Sequence, residues 1–263
     1  MPLLSSSLII STYNWPEALE LCLISLSRQK TLPDEVIIAD DGSGMETREL
    51  IERVKKTLPL PLIHVWHDDR GFRKTEILNK AIKESTSTYI IQVDGDVILH
   101  PCFISDHLEI AEKNAFVRGT RARLTEKMTE KIIHSKQTDL NFLSEGVYHR
   151  LNALRIPFFK TIGIRKEMRS RSVRGSNLAF WKSDFVLVNG YNNELQGWGH
   201  EDEELAARFI NNQIVKKIVK LSAIQFHLHH EEKSRHLESF HSITLENTVK
   251  NNIKSCAKGY SCN

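Results

Sequence analysis

Asp94-Gly95-Asp96 follows directly on the apolar run Tyr89-Ile90-Ile91-Gln92-Val93. Two carboxylates one residue apart at a strand end offer hard oxygen ligands, and such ligands select Mg²⁺, Mn²⁺ or Ca²⁺. The same tripeptide also suits a plain acidic turn, so its neighbours must decide between the two. A second group is Gly197-Trp198-Gly199-His200-Glu201-Asp202-Glu203-Glu204. Carboxylates that open a helix sit in the favourable field of its N-terminus. An aromatic face is a platform for the apolar face of a sugar ring, and the two glycines are expected to let the backbone run close to that flat ligand. A third group is His227-Leu228-His229-His230. On a strand His227 and His229 share a face, and one of them could add a nitrogen ligand to a metal held by Asp96.

These residues need elements to position them. Leu8-Ile9-Ile10, Glu35 to Ala39, Leu62 to Trp66 and Tyr89 to Val93 read as four short strands. Helical patterns lie between them, from Glu17 to Gln29 behind Pro16, from Thr47 to Thr57, and from Thr75 to Glu84 after Gly71. Strand alternating with helix predicts a parallel sheet with right-handed crossovers and helices on both faces. Open sheets of this kind bind ligands at the carboxyl ends of their strands. Ser11, Tyr13, Asp41 and Asp96 should therefore converge on one crevice.

The alternation weakens after residue 113. Phe116 to Gly119 and Asn177 to Trp181 read as strands, and Lys217 to Phe226 as one or two more. Two helices are expected between Glu126 and Leu154, a short one from Asp184 to Val188 and another from Glu201. Arg155, Lys160, Arg165, Lys166, Arg169, Arg171 and Arg174 predict an exposed, mobile basic loop. The last thirty or so residues read as helical, polar and frayed. The change of pattern at about residue 115 divides the domain into two halves, 1–115 and 116–263, the second ending in that helical tail.

Composition narrows the function classes. A formal charge of +3 over 263 residues gives no basis for nucleic-acid binding. No apolar stretch approaches the ~20 residues of a membrane span, and residues 1–10 lack the basic leader of a signal peptide. Cys22, Cys102, Cys256 and Cys262 form no CxxC pair and read as free thiols in a reducing cytosol. No GxGxxG follows the first strand, which argues against a dinucleotide-dependent oxidoreductase.

Taken together, Ser11-Thr12-Tyr13-Asn14, Asp40-Asp41-Gly42-Ser43, Gly71 with Asn79-Lys80-Ala81, and Asp94-Gly95-Asp96 resemble glycosyltransferase family 2, the GT-A nucleotide-sugar transferases. The Gly197-to-Asp202 segment, with Asn177 upstream and the histidines downstream, resembles the galactosyltransferase type. That type occurs in animal β-1,4-galactosyltransferases, polypeptide GalNAc-transferases and bacterial chondroitin-type polymerases. The resemblance implies a GT-A fold of the α/β class and a UDP-sugar donor. It implies Ser11 and Tyr13 in the uridine pocket, with Asp41 accepting from the uracil ring and Asp40 as its less favoured neighbour. It implies Arg73 near the nucleotide, Asp94 at the ribose and Asp96 on Mn²⁺ or Mg²⁺. His229 matches the metal histidine because Lys233 follows at the expected distance, with His227 as the fallback. It implies Asp202 as general base, Glu201 binding sugar or acceptor hydroxyls, and Trp198, Gly199 and Asn177 around the sugar and acceptor.

The chemistry fits these residue types. A divalent metal stabilises charge on a departing nucleoside diphosphate, and a carboxylate takes the proton of an acceptor hydroxyl. The expected reaction is an inverting hexosyl or N-acetylhexosaminyl transfer to a glycan or lipid-linked saccharide in bacterial surface polysaccharide synthesis. The expected place is the cytoplasm, where peripheral association with the inner face of the membrane would suit a lipid-linked acceptor. Two alternatives are a sugar-nucleotide nucleotidyltransferase, disfavoured because Ser11 to Glu17 has neither glycine nor base, and a sugar-binding module without turnover, disfavoured by the intact carboxylate set.

Overall fold

A computed structural model describes residues 4–159, 162–231 and 237–262. Lys160 and Lys233, which figured in the sequence reading, lie outside the described residues. The strands and helices run in the order β1 Ser6–Thr12, α1 Pro16–Ser27, β2 Glu35–Asp40, α2 Met45–Lys55, β3 Leu62–Trp66, α3 Lys74–Glu84, β4 Tyr89–Asp94, β5 Val97–Leu99, α4 Phe103–Ile110, β6 Ala115–Arg118, β7 Thr120–Leu124 and α5 Glu126–Ser135. There follow β8 Val147–Tyr148, β9 Ile164–Glu167, β10 Asn177–Trp181, α6 Lys182–Leu187, α7 Glu201–Asn211, β11 Val215–Val219, β12 Ile224–His227 and α8 Glu238–Lys250.

β1 and β2 are buried along their whole length. A strand buried on both faces must be apolar on both, which is why Leu8-Ile9-Ile10 and Val36-Ile37-Ile38-Ala39 run without alternation. The large sheet has the order β3-β2-β1-β4-β10-β6-β11-β9. β1, β2, β3 and β4 are parallel. β2 lies on one side of β1 and β4 on the other, so the strand order reverses there and opens a crevice at their carboxyl ends. β10 then inserts antiparallel between β4 and β6. Apolar side chains of α1 and α2 pack on one face of this sheet, and those of α3 and α7 on the other. A second sheet, β5-β12-β7-β8, carries the chain from the acidic turn to the histidines.

Three expectations for the second half need correction. Of two helices expected between Glu126 and Leu154, one forms (α5); the rest is β8 and a single 3₁₀ turn, Arg150–Ala153. The basic segment is not all loop, because Ile164–Glu167 pairs with β11 as the edge of the large sheet, and Arg155 is tied to the buried Asp106 at 2.6 Å. The tail is α-helical to Lys250; beyond it the chain docks on the end of α6 and closes in a 3₁₀ turn, Tyr260–Cys262, where Tyr260 N–H donates to the Asn189 carbonyl. Among the described residues no helix is long and apolar enough to cross a membrane.

Candidate active site

The crevice is built from strand ends. Register sets Ser11 beside Asp94, and the Ser11 hydroxyl donates to the Asp94 carboxylate at 2.8 Å. Gly95 N–H donates to the Ser11 carbonyl at 2.7 Å. A Cβ on Gly95 would lie 3.1 Å from that carbonyl oxygen, so glycine lets the acidic turn cross β1 closely. Asp41 is buried after β2 and accepts from His67 Nε2 at 2.7 Å and from the Arg73 backbone N–H at 2.9 Å. Asp40 instead faces inward, accepting from Ser43 N–H and pairing with His64. Tyr13 is half exposed at the mouth and donates to Asp69 at 2.8 Å. The Arg73 guanidinium reaches Glu76 and the Asp68 carbonyl, so its backbone rather than its side chain meets Asp41.

Asp96 lies 3.5 Å from His227 Nε2 and 3.3 Å from His230 Nε2. One ligand atom from each of the three lies within 4.8 Å of the others. Each histidine has its Nδ1 at a backbone carbonyl, Leu228 for His227 (2.7 Å) and Glu231 for His230 (2.6 Å). A donated Nδ1–H leaves Nε2 with its lone pair toward Asp96, the tautomer a metal ligand needs. Asp96 Oδ1 is buried with no hydrogen-bond partner. A carboxylate with one oxygen facing two imidazole nitrogens and the other orphaned fits a divalent cation. Burial works against the charge of Asp96, and without a cation it is His227 and His230 in their protonated form, with Lys74, that hold its carboxyl far below the usual range; a bound cation would take the place of those Nε2 protons. His229, the preferred histidine from sequence, is not in this group. Its backbone N–H donates to Thr129 and the residue is exposed. The chain turns between β12 and His230, so strict strand alternation does not select the pair.

Glu201 and Asp202 open α7. Asp202 accepts from Gly175 N–H at 2.6 Å and from the Tyr191 hydroxyl at 3.0 Å. Gly175 has no room for a side chain, since a Cβ would lie 2.5 Å from Asp202 Oδ1. Burial raises the Asp202 carboxyl above its ordinary value. Glu201 is pushed up to about 8, first by burial and then by the Asp202 charge. Lys74, which sequence reasoning missed, donates to Asp94 at 2.6 Å. Its ammonium is held in the charged state against burial by Asp94, Asp202 and Glu201. A lysine at a helix start carries no distinctive sequence signal, so only the fold could find it.

Two expected sugar contacts have other roles. Asn177 is buried and saturated, donating to the Thr120 and Ala223 carbonyls at 2.9 and 2.8 Å and accepting from His107 at 2.9 Å. It joins β10 to the second sheet. Gly199 makes room for protein rather than ligand, as a Cβ there would lie 2.3 Å from His241 Nδ1. His241, from α8, accepts from His200 N–H at 3.0 Å and donates to the Gln196 carbonyl at 2.8 Å, which pins the loop that carries Trp198. Trp198 itself stands at 36% exposure.

A carboxylate-rich crevice at the switch point of a mixed, mostly parallel sheet, crossed by an acidic turn, defines the GT-A class. Residues 7–170 match the profile of glycosyl transferase family 2, and the chain belongs to that family. Residues 160–233 match a profile described as the N-terminal domain of galactosyltransferase. Over 218 residues the chain is 26% identical to a chondroitin synthase of Escherichia coli, covering 77% of this chain and 32% of that protein. It is 27% identical over 222 residues to a validoxylamine A glucosyltransferase of Streptomyces hygroscopicus subsp. limoneus, covering 79% of this chain and 48% of that one. The chain thus spans less than half the length of either relative. Staphylococcus aureus TarS 1-349 in complex with UDP has the same fold, with a TM-score of 0.63 at 14% identity over 98% of this chain and 68% of TarS 1-349.

Proposed function

We propose that this chain is a metal-dependent inverting glycosyltransferase that moves a hexose or N-acetylhexosamine from a UDP-sugar to a hydroxyl of a saccharide acceptor. The observation that carries the reading is one crevice with a cation-fitting cluster, Asp96, His227 and His230, beside a carboxylate held by two donors, Asp202. Residues 1–115 would hold the nucleotide and 116–263 the acceptor. Tyr13 and Asp41 lie where a planar base would enter between β1 and β2, and Ser11 and Lys74 fix Asp94 at the ribose. A divalent ion at Asp96 would offset the charge that builds on the departing diphosphate. Two imidazole nitrogens favour Mn²⁺ over Mg²⁺, which prefers an all-oxygen octahedron.

Asp202 would take the proton of the acceptor hydroxyl as its oxygen bonds to the anomeric carbon and the carbon–oxygen bond to the diphosphate breaks. Glu201, neutral at pH 7, can donate to a sugar hydroxyl. Trp198 offers a ring face to the sugar. Attack from the side opposite the leaving group inverts the anomeric centre. The likeness to a bacterial chondroitin synthase supports a setting in bacterial polysaccharide synthesis.

The test is paired. Asp96→Ala should abolish the Mn²⁺ dependence of UDP binding by calorimetry. Asp202→Asn should keep that binding and lower kcat by about 10²–10⁴-fold, the usual worth of a general base. UDP binding that is indifferent to Asp96 and to metal sinks the reading.

A further inference from the structure

β7 carries Arg121 and Arg123 two residues apart, so both side chains leave one face of the strand. Thr120, Ala122 and Leu124 on the other face are buried. Register sets Arg123 beside the metal-cluster residue His227. Arg174 comes from the other side of the crevice, one residue before the Gly175 that holds Asp202. Arg121 lies within the field of Asp94 and Asp96, and Arg174 within that of Asp202 and Glu203. The three guanidinium groups therefore line the passage from metal cluster to base.

Among the described residues, no hydrogen bond or ion pair holds any of the three guanidinium groups. Other arginines at least partly buried are paired, Arg155 with Asp106 and Arg208 with Glu204. Arginine does not shed its proton under ordinary conditions, so three neighbouring unpaired cations repel one another. Burial and then the charges of Arg174 and Arg123 press Arg121 down to about 10. Arg174 is more open to solvent, and partial burial and then Arg123 lower it in the same direction. Unpaired charge gathered in a cleft is a standing cost that an anionic ligand removes. Guanidinium forks match the two oxygens of a carboxylate or phosphate ester. In the proposed reading the nucleotide diphosphate finds its counter-charge in the cation at the Asp96, His227 and His230 cluster, and Lys74 is taken up by Asp94.

We propose that Arg121, Arg123 and Arg174 form a subsite for an oxyanion borne by a sugar, so that one reacting saccharide is acidic. The inference rests on the glycosyltransferase reading and names its substrate class. The acid could belong to the acceptor or to the transferred sugar, and the experiment has an arm for each. With Mn²⁺ and UDP saturating, calorimetry compares glucuronic acid and glucose 6-phosphate with glucose. With Mn²⁺ alone it compares UDP-glucuronate with UDP-glucose. At least one acidic probe should bind about tenfold or more tighter than its neutral partner, the low end of what a charge-assisted hydrogen bond contributes.

Arg121→Gln, Arg123→Gln and Arg174→Gln combined should erase that preference, leave UDP affinity within about twofold, and leave Tm unchanged or higher because repulsion is relieved. No acidic preference in either arm overturns the proposal. So does a parallel loss of UDP affinity, which would assign the arginines to the diphosphate, and so does a fall in Tm, which would make them structural. Failure of the wild-type chain to bind UDP with metal strikes the glycosyltransferase reading instead.

Discussion

Glu201 and Asp202 are adjacent in sequence and differ in their partners. Asp202 has two hydrogen-bond donors, whereas Glu201 Oε2 is buried with none. The folded chain therefore keeps a proton on Glu201 up to about pH 8, while the unfolded chain releases it near the ordinary glutamate value of about 4.3. Between those limits the folded state binds more protons, so stability contributed through Glu201 is full below about pH 4.3 and is lost as pH rises through about 8. Urea unfolding from pH 5 to 8.5 should show wild type losing ground to Glu201→Gln, with the gap widening toward pH 8.5. A constant gap would show that Glu201 is ionised in the fold at all these pH values. At this scale the sequence exposed Asp41, Asp96 and Asp202, because carboxylates after strands and at a helix start are conspicuous. It did not distinguish His230 from His229, since the choice depends on a turn after β12, and it hid Lys74 among the chain's other lysines.

Elements were legible where an apolar run marks them. β2 to β4 could be read to within a residue of each end, whereas β1, read from Leu8 to Ile10, runs from Ser6 to Thr12 because its polar ends are buried too. β9 could not be read, because an edge strand with only partly buried ends carries Arg165 and Lys166 and looks like a loop. The loop ahead of α7 shows a different kind of limit. Gly197 and Gly199 marked it as special, but α8 arrives from later in the chain and could not be seen from the glycines alone. The fit between Gly199 and His241 is testable as a pair. Gly199→Ala should displace the loop and raise KM for donor or acceptor by about tenfold or more, with UDP affinity largely kept. Adding His241→Ala should recover part of that loss, because it frees the space the methyl group needs. Simple additivity of the two would show that the contact does not govern the loop.

At the scale of the whole molecule the cation-fitting cluster and the proposed base sit on different sheets. Asp96 and His227 flank β5 and β12 of the second sheet, while Asp202 is held by the chain entering β10 of the first. The Asn177 side chain binds across that seam to Thr120, Ala223 and His107. Asn177→Ala would take the side-chain donor from the Thr120 carbonyl and the acceptor from a His107 nitrogen, and leave the Ala223 carbonyl only the longer bond from Thr120 N–H. Loss of stability of about 2–4 kcal/mol is expected, at about 1–3 kcal/mol for each buried group left unsatisfied and with part of the gap refilled by water. Chemical denaturation measures it, and a change under 1 kcal/mol would show that the seam is held elsewhere. The outer border of the first sheet has a consequence of its own. An eight-stranded sheet offers its last strand as a template for any passing chain, and β9 meets that hazard with Arg165, Lys166 and Glu167 in a row. Another copy approaching this border would have to strip water from these charges before it could extend the ladder, and that cost helps keep the molecules apart at high concentration.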